Sequence, residues 1–360
     1  MSALSDLQIE PLDRTCLERA RARQQRLTKP PGSLGRLEDI ALDLAAIQGT
    51  EQPRARQAAA LLFAADHPVT RHGVSAYPAA VTRAMLGNFV QGGAAASVLA
   101  RQQSIALGVI DVGVAPGPEP SFLATDSGVQ AATAYRDPVA DDPAGDLRVE
   151  DAMSSSTFER ALGAGRRAVA ELNAETCVVL FGEMGIGNTT VASAVCAGLL
   201  GGEPAEFVGA GTGVAGSALE TKQRVVQEAV ARLRGEADPL EVLRRVGGRD
   251  VAALAGAMAE AAARRLVIVV DGFISSAAAL ALVRALPAAR PFMIFSHRSQ
   301  ERGHARVLEA LAARPLLDLS LRLGEASGAL LAYPLIELAC AVHNGMATFE
   351  AAGVPEQDVP

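Results

Sequence analysis

The sequence predicts an α/β protein, a doubly wound parallel sheet accompanied by a small helical domain built from both termini. Three observations predict it. Short apolar runs without alternation recur along the chain, each followed by a turn and a stretch with helical spacing. The polar residues that break this pattern gather at the ends of those runs. The 360 residues are 49% hydrophobic and 20% charged, enough apolar surface to bury a large core.

Residues 1–50 have helical spacing, interrupted at Lys29-Pro30-Pro31-Gly32-Ser33, where two prolines must end a helix. The first buried-strand run is 59–65, ending on Asp66-His67, and a helix over 80–101 leads to a second run over 105–112. From 113 to 152 the chain is rich in Pro, Asp and Gly and reads as an irregular, solvated excursion. A helix over 157–173 precedes the run 176–181, which ends on Gly182-Glu183. Helices over 221–233 and 251–263 precede the run 266–270 with its tip Asp271-Gly272. The run 291–295 ends on Ser296-His297, and a helix over 305–312 follows. Residues 335–352 are again helical and apolar on one side, suited to pack on the N-terminal piece. The expected division is therefore 1–50 plus 335–360 as the helical domain and 51–334 as the catalytic domain. Four polar tips on one sheet edge imply one pocket, because ligands of open α/β sheets sit outside the carboxyl ends of the strands. The abundance of Ala and Gly, with no Trp, lets helices approach that sheet closely.

A net charge of −7 without a basic stripe disfavours a polyanionic partner, so no nucleic acid is expected. Cys16, Cys177, Cys196 and Cys340 are scattered without CxxC spacing, as core thiols in a reducing compartment would be, and no metal site is expected. The first ten residues carry Asp6 and Glu10 and no apolar signal core, and no apolar run reaches membrane length. The expected location is the cytoplasm.

The stretch from Leu180 to Thr190 is the most informative. An apolar strand breaks into a glycine-spaced turn holding one carboxylate, Glu183, and re-enters a helix through Asn188 and Thr189. Glycines let backbone N–H groups approach a ligand, and a helix N-terminus favours an anion such as phosphate. The stretch lacks the Lys of a P-loop, so kinase-like transfer is disfavoured. A second cluster, Gly209 to Gly216, contains a formal GxGxxG with Glu236 about twenty residues on. The segment before it is a poor strand, and Glu236 falls at the polar end of a helix, so the context of a dinucleotide fingerprint fails. A phosphate-cradling loop remains open there, with Lys222 as a point charge or as an ordinary helix lysine. His297 and His304 flank Glu301 at a spacing suited to capping and hydrogen bonding rather than to a metal. Glu325, set among Gly324, Ala326 and Gly328 before an apolar helix, can face a hydrophobic cavity, where a raised pKa makes a carboxylate a better base. Its alternative reading is an acid stabilised by the helix dipole.

Together these words resemble the nicotinate-nucleotide–dimethylbenzimidazole phosphoribosyltransferase family. They are Lys29 to Gly35, Ala65-Asp66-His67 with Gly73 to Pro78, Gly182 to Thr190, Gly209 to Gly213, Asp271 to Ile274, Ser296-His297 through His304, and Arg322 to Glu325, in family order. The resemblance implies a Rossmann-like large domain, a helical small domain, a homodimer, small-molecule substrates, and neither cofactor nor metal. Its reaction moves phosphoribose from nicotinate mononucleotide to a benzimidazole nitrogen. By motif, Glu325 would be the general base and Glu183 a second carboxylate near the sugar. Ser75, Arg83 and Met184 would line the base pocket. Gly185, Gly211, Gly213, Lys222, Gly272 and Arg322 would hold phosphate and ribose, and Ser299 the nicotinate carboxylate. Pro68 after His67, Arg83 in place of a common Gln, and the expanded 115–151 segment depart from the family pattern and bear on base selectivity. Two readings from other classes stay open: an NAD-dependent oxidoreductase using Gly211 to Gly216, and a non-catalytic nucleotide-binding protein.

Overall fold

The computed structural model describes residues 3–116, 132–211 and 213–355. In chain order the elements are α1 (Arg14–Arg26), α2 (Arg36–Gln48), β1 (Ala58–Ala65), α3 (Ala80–Gln91), α4 (Ala95–Gln102), β2 (Ala106–Gly113), β3 (Thr133–Arg136), α5 (Ser155–Ala170), β4 (Val178–Met184), α6 (Asn188–Leu200), α7 (Ser217–Leu233), α8 (Pro239–Val246), α9 (Arg249–Ala263), β5 (Val267–Val270), α10 (Phe273–Ala285), β6 (Met293–Phe295), α11 (His304–Ala310), α12 (Ser327–Gly345) and α13 (Phe349–Ala352). The strands form one sheet in the order β3-β2-β1-β4-β5-β6, with every pairing parallel. This is the doubly wound Rossmann-like order, which reverses between β1 and β4. β4 and β5 are buried along their whole length, which is why 178–181 and 267–270 are continuous apolar runs.

The register sets Phe63 beside Glu183 and Ala64 beside Met184, so the Asp66-His67 and Gly185 turns leave the sheet side by side. α9 lies on β1, β4 and β5 and packs closely against α5. That approach depends on two glycines: a Cβ on Gly165 would fall 1.8 Å from the Ala253 carbonyl oxygen, and one on Gly256 would fall 2.1 Å from that of Leu162. Gly165→Ala should therefore destabilise the chain by about 1–3 kcal/mol, read by denaturant unfolding, since backbone rather than a flexible side chain must give way. α12 packs on β4 and β5 and carries α2, while α1 packs on α2. The two ends of the chain are tied by an antiparallel bridge between Leu27 and Thr348 and by Arg23, which donates to the His343, Asn344 and Met346 carbonyls. α12 runs unbroken across position 335 despite Pro334.

Three local expectations change. The 113–152 segment supplies an edge strand: β3 pairs along Gly108 to Asp111 of β2. Its residues are mostly exposed, as an edge strand permits, so no apolar run announced it. The helix expected over 80–101 is two helices, broken where Gly92 adopts φ +83° at the end of α3. The strand expected to stop at Phe181 continues through Glu183 and Met184, so Glu183 is a strand residue and the turn begins at Gly185. Residues 117–131 of the excursion lie outside the described residues.

Candidate active site

The loops that follow β4, β5 and β6 and the turn before α12 enclose a cavity of about 580 Å³. Its lining is more apolar than polar and includes Val74, Val81, Met85, Met184 and Leu323. α3 is held over it by Thr82, whose Oγ1 accepts from the Ile186 N–H at 3.1 Å.

Glu325 sits in an unusual turn. Gly324, Glu325 and Ala326 have φ values of +86°, +61° and +59°. Left-handed backbone at two consecutive side-chain-bearing residues stores on the order of 1–3 kcal/mol each and persists only where surrounding contacts impose it. Those contacts are visible. Ser327 Oγ donates to the Gly324 carbonyl at 2.6 Å, and Gly182 lies so close beneath that a Cβ there would come within 2.2 Å of the Ala326 nitrogen. The result is a carboxylate only 7% exposed but facing the cavity. Burial, reinforced by the charge of Asp271, raises its pKa to about 7.

Glu183 projects from the end of β4 and is 5% exposed. Gly324 passes so near that a Cβ on it would fall 2.5 Å from Glu183 Oε1, while Asn188 Nδ2 donates to Oε2. Burial first, then Asp250, and more weakly Asp271 and Glu325, push its pKa well above the usual carboxylate range; the Asn188 hydrogen bond opposes them. Asp271, at the end of β5, accepts from the Ala329 N–H at 3.0 Å and lies 3.7 Å from His297 Nδ1. It thus satisfies an N–H in the first turn of α12, the helix that follows Glu325, and also sets the charge beside Glu325. Burial raises the Asp271 pKa, opposed by His297. Asp271→Asn keeps an acceptor for that N–H and removes the charge, so Glu325 should lose its proton at lower pH. The acid limb of kcat/KM should move down by about one pH unit, and an unmoved limb would remove Asp271 from the control of Glu325.

Gly211, Gly272, Ser299, Glu301 and Arg322 also line the cavity. Arg322 donates to the Gly211 carbonyl at 3.2 Å. Ser299 is fixed by His304, whose Nδ1 accepts from its N–H at 2.9 Å while Nε2 meets Ser276 Oγ at 3.1 Å. Burial, with His297 and Arg298 nearby, lowers the His304 pKa to about 3, so the ring is neutral and serves in hydrogen bonding. Among the described residues, no group of three or more His, Cys, Asp and Glu is placed to hold a metal ion.

The phosphoribosyltransferase family model matches residues 9–354. The enzyme named nicotinate-nucleotide–dimethylbenzimidazole phosphoribosyltransferase from Bradyrhizobium sp. strain BTAi1 is 50% identical over 344 residues, 94% of each chain. The chain belongs to that family. A relative of the same name from Pseudomonas aeruginosa PAO1 is 48% identical over 94% of each chain. The crystal structure of the Thermus thermophilus enzyme of that name superposes with a TM-score of 0.87 at 41% identity, over 96% of this chain and all of that one.

Of the residues that the family motifs single out, Glu325, Glu183, Ser75, Met184, Gly185, Gly211, Gly272, Ser299 and Arg322 line one cavity. Three do not. Arg83 points away: its guanidinium donates to the Ala115 carbonyl and lies 3.9 Å from Asp111. The reason is helical rotation, since Val81 and Met85, four apart on α3, face the cavity and position 83 falls on the other side. Gly213, at φ +127°, is outside the lining. Lys222 lies behind the wall, fully buried, with Nζ donating to Thr189 Oγ1 at 2.7 Å and to the Gly209 carbonyl at 3.1 Å. Burial lowers its pKa to about 8 against the attraction of Glu301. Asp271 and Glu301 face the cavity without having been assigned a role from sequence; their signal was a position at a strand tip or between paired histidines. The GxGxxG reading is overturned, because a 3-10 turn, Pro204–Phe207, rather than a strand precedes Gly209, and Glu236 lies in the turn after α7.

Proposed function

We propose that this cavity transfers the 5-phosphoribosyl group of nicotinate mononucleotide to a ring nitrogen of 5,6-dimethylbenzimidazole, giving α-ribazole 5′-phosphate and nicotinate for cobalamin nucleotide-loop assembly. The observation that carries this reading is Glu325, a buried carboxylate held by a strained turn in the lining of a mainly apolar cavity. One azole nitrogen attacks the anomeric carbon as the bond to the pyridinium nitrogen breaks, and nicotinate leaves with that bonding pair. The azole ring becomes cationic, its remaining N–H acidifies, and Glu325 takes the proton. Inversion at the anomeric carbon gives the α product.

Val74, Val81, Met85, Met184 and Leu323, with Ser75 in the same lining, suit a flat apolar base. Gly185, Gly211, Gly272 and Arg322 suit a phosphoribosyl group, and Ser299 the nicotinate carboxylate, with Lys222 steadying Thr189 from behind. Holding two flat rings about one sugar carbon is largely a matter of orientation, which rigid strand ends supply. The reading extends to a cytoplasmic homodimer with residues 1–50 and 335–360 as its small helical domain. No helix among the described residues is long and apolar enough to cross a membrane.

Mixing the protein with nicotinate mononucleotide and dimethylbenzimidazole should yield α-ribazole phosphate and nicotinate in equal amounts by mass spectrometry. Binding of both substrates without either product would refute transfer. Sedimentation at micromolar concentration tests the dimer, and a monomer there would remove it.

A further inference from the structure

Behind Gly185 lies a second polar cluster that the transfer reaction, as derived, does not use. His67, 4% exposed, and Asp250, fully buried in the first turn of α9, approach with Nε2 and Oδ2 3.4 Å apart. Neither atom has a hydrogen-bond partner among the described residues. Asp250 Oδ1 is occupied by the Val251 N–H at 2.9 Å. Gly185 separates this pair from the cavity: a Cβ there would lie 2.9 Å from His67 Nε2 and 2.8 Å from Asn188 Nδ2, the atom that bonds Glu183. Two buried carboxylates, Glu183 and Asp250, therefore stand on either side of one glycine and one imidazole.

We propose that Asp250, beside His67, is a positioning residue that keeps Glu183 protonated, so that the cavity uses Glu325 as its base and Glu183 as a hydrogen-bond donor to an oxygen of the phosphoribosyl group. The inference rests on the phosphoribosyl-transfer reading of the cavity. The groups around Glu183 are Asp250 from α9, Asp271 from the end of β5, Glu325 from the turn before α12 and the neutral Asn188 from α6. All three charged neighbours are acids. After burial, Asp250 is the strongest influence raising the proton affinity of Glu183. Asp250 itself faces Arg249, whose guanidinium is engaged with the Gly113, Ala140 and Asp142 carbonyls, as well as His67. Glu183 and Glu325, in one pocket, can take opposite tasks only if their environments separate their protonation states. Asp250 supplies that separation by raising the proton affinity of Glu183, whereas Asp271 raises that of both glutamates.

The experiment is the pH profile of nicotinate release by the full chain and by Asp250→Asn. Removing the Asp250 charge loosens the proton on Glu183, so the alkaline limb of kcat should move down by about one pH unit. On that limb turnover falls roughly ten-fold relative to the parent. An identical proportional loss at every pH, with both limbs in place, would overturn the proposal and leave the pair a packing element. A second arm needs no turnover: difference infrared spectra of the unmodified chain at neutral pH should contain a protonated-carboxyl band that disappears in Glu183→Gln and weakens in Asp250→Asn. Absence of that band from the unmodified chain overturns the proposal even if Asp250→Asn fails to fold. No nicotinate release at any pH, with the band present, would instead defeat the phosphoribosyl-transfer reading alone.

Discussion

Glu325→Gln should lower kcat by about 10²- to 10⁴-fold, the usual contribution of a positioned base, while dimethylbenzimidazole still binds. The amide fills the same space and keeps the strained turn, so the recess for the base persists. What is lost is the acceptor for the azole proton at the moment the ring becomes cationic. The pH dependence carries the same signature. With its pKa near 7, Glu325 is ionised and competent above neutrality, so turnover falls as pH drops through about 7 and the protonated acid can no longer accept. The Gln variant should lose this limb along with its rate. Nicotinate release measured beside calorimetric titration of the base separates chemistry from binding, and parental turnover in Glu325→Gln would dismiss the residue as the base.

Gly182→Ala should be nearly as damaging although it adds one methyl at a residue outside the cavity lining. The new Cβ would lie 2.2 Å from the Ala326 nitrogen and 2.6 Å from the Ala326 Cβ, contacts that only movement of the turn can relieve. Ala326 is the residue after the base, already in left-handed backbone, so any displacement moves Glu325 directly. Misplacement of a catalytic group by about 1 Å costs on the order of 10²-fold in rate, and overpacking of this kind about 1–3 kcal/mol in stability. Both effects are expected, read as kcat and as the denaturation midpoint. Unchanged turnover would mean that β4 does not hold the Glu325 turn in place.

Much of the site's location was legible in the sequence, because the strands that carry it are buried on both faces. An unalternated run such as 176–181 has few other readings, and the polar residues after such runs must lie at one sheet edge once the strands are parallel. The glycine-spaced turn after 181 reads as room for a ligand, whereas in the fold Gly182 is approached by Ala326 and Gly324 by Glu183. The edge strand Thr133–Arg136 carried no comparable signal, since half its surroundings are solvent. Nor could spacing show that Arg83 turns away while Val81 and Met85 turn in, because that depends on which face of α3 meets the sheet.

The sequence by itself determined the layered α/β class, the strand tips, and Glu183 and Glu325 as candidate site carboxylates. These follow from local patterns of apolar and small residues that leave little freedom in how each segment is buried. Only the tertiary structure decided what surrounds those glutamates. Asp250, Asp271, His67 and His297 come from separate segments, and their distances depend on strand order and helix packing, neither of which is written in local periodicity. Protonation is set by those distances, so the division of labour between Glu183 and Glu325 belongs to the folded arrangement rather than to any one motif.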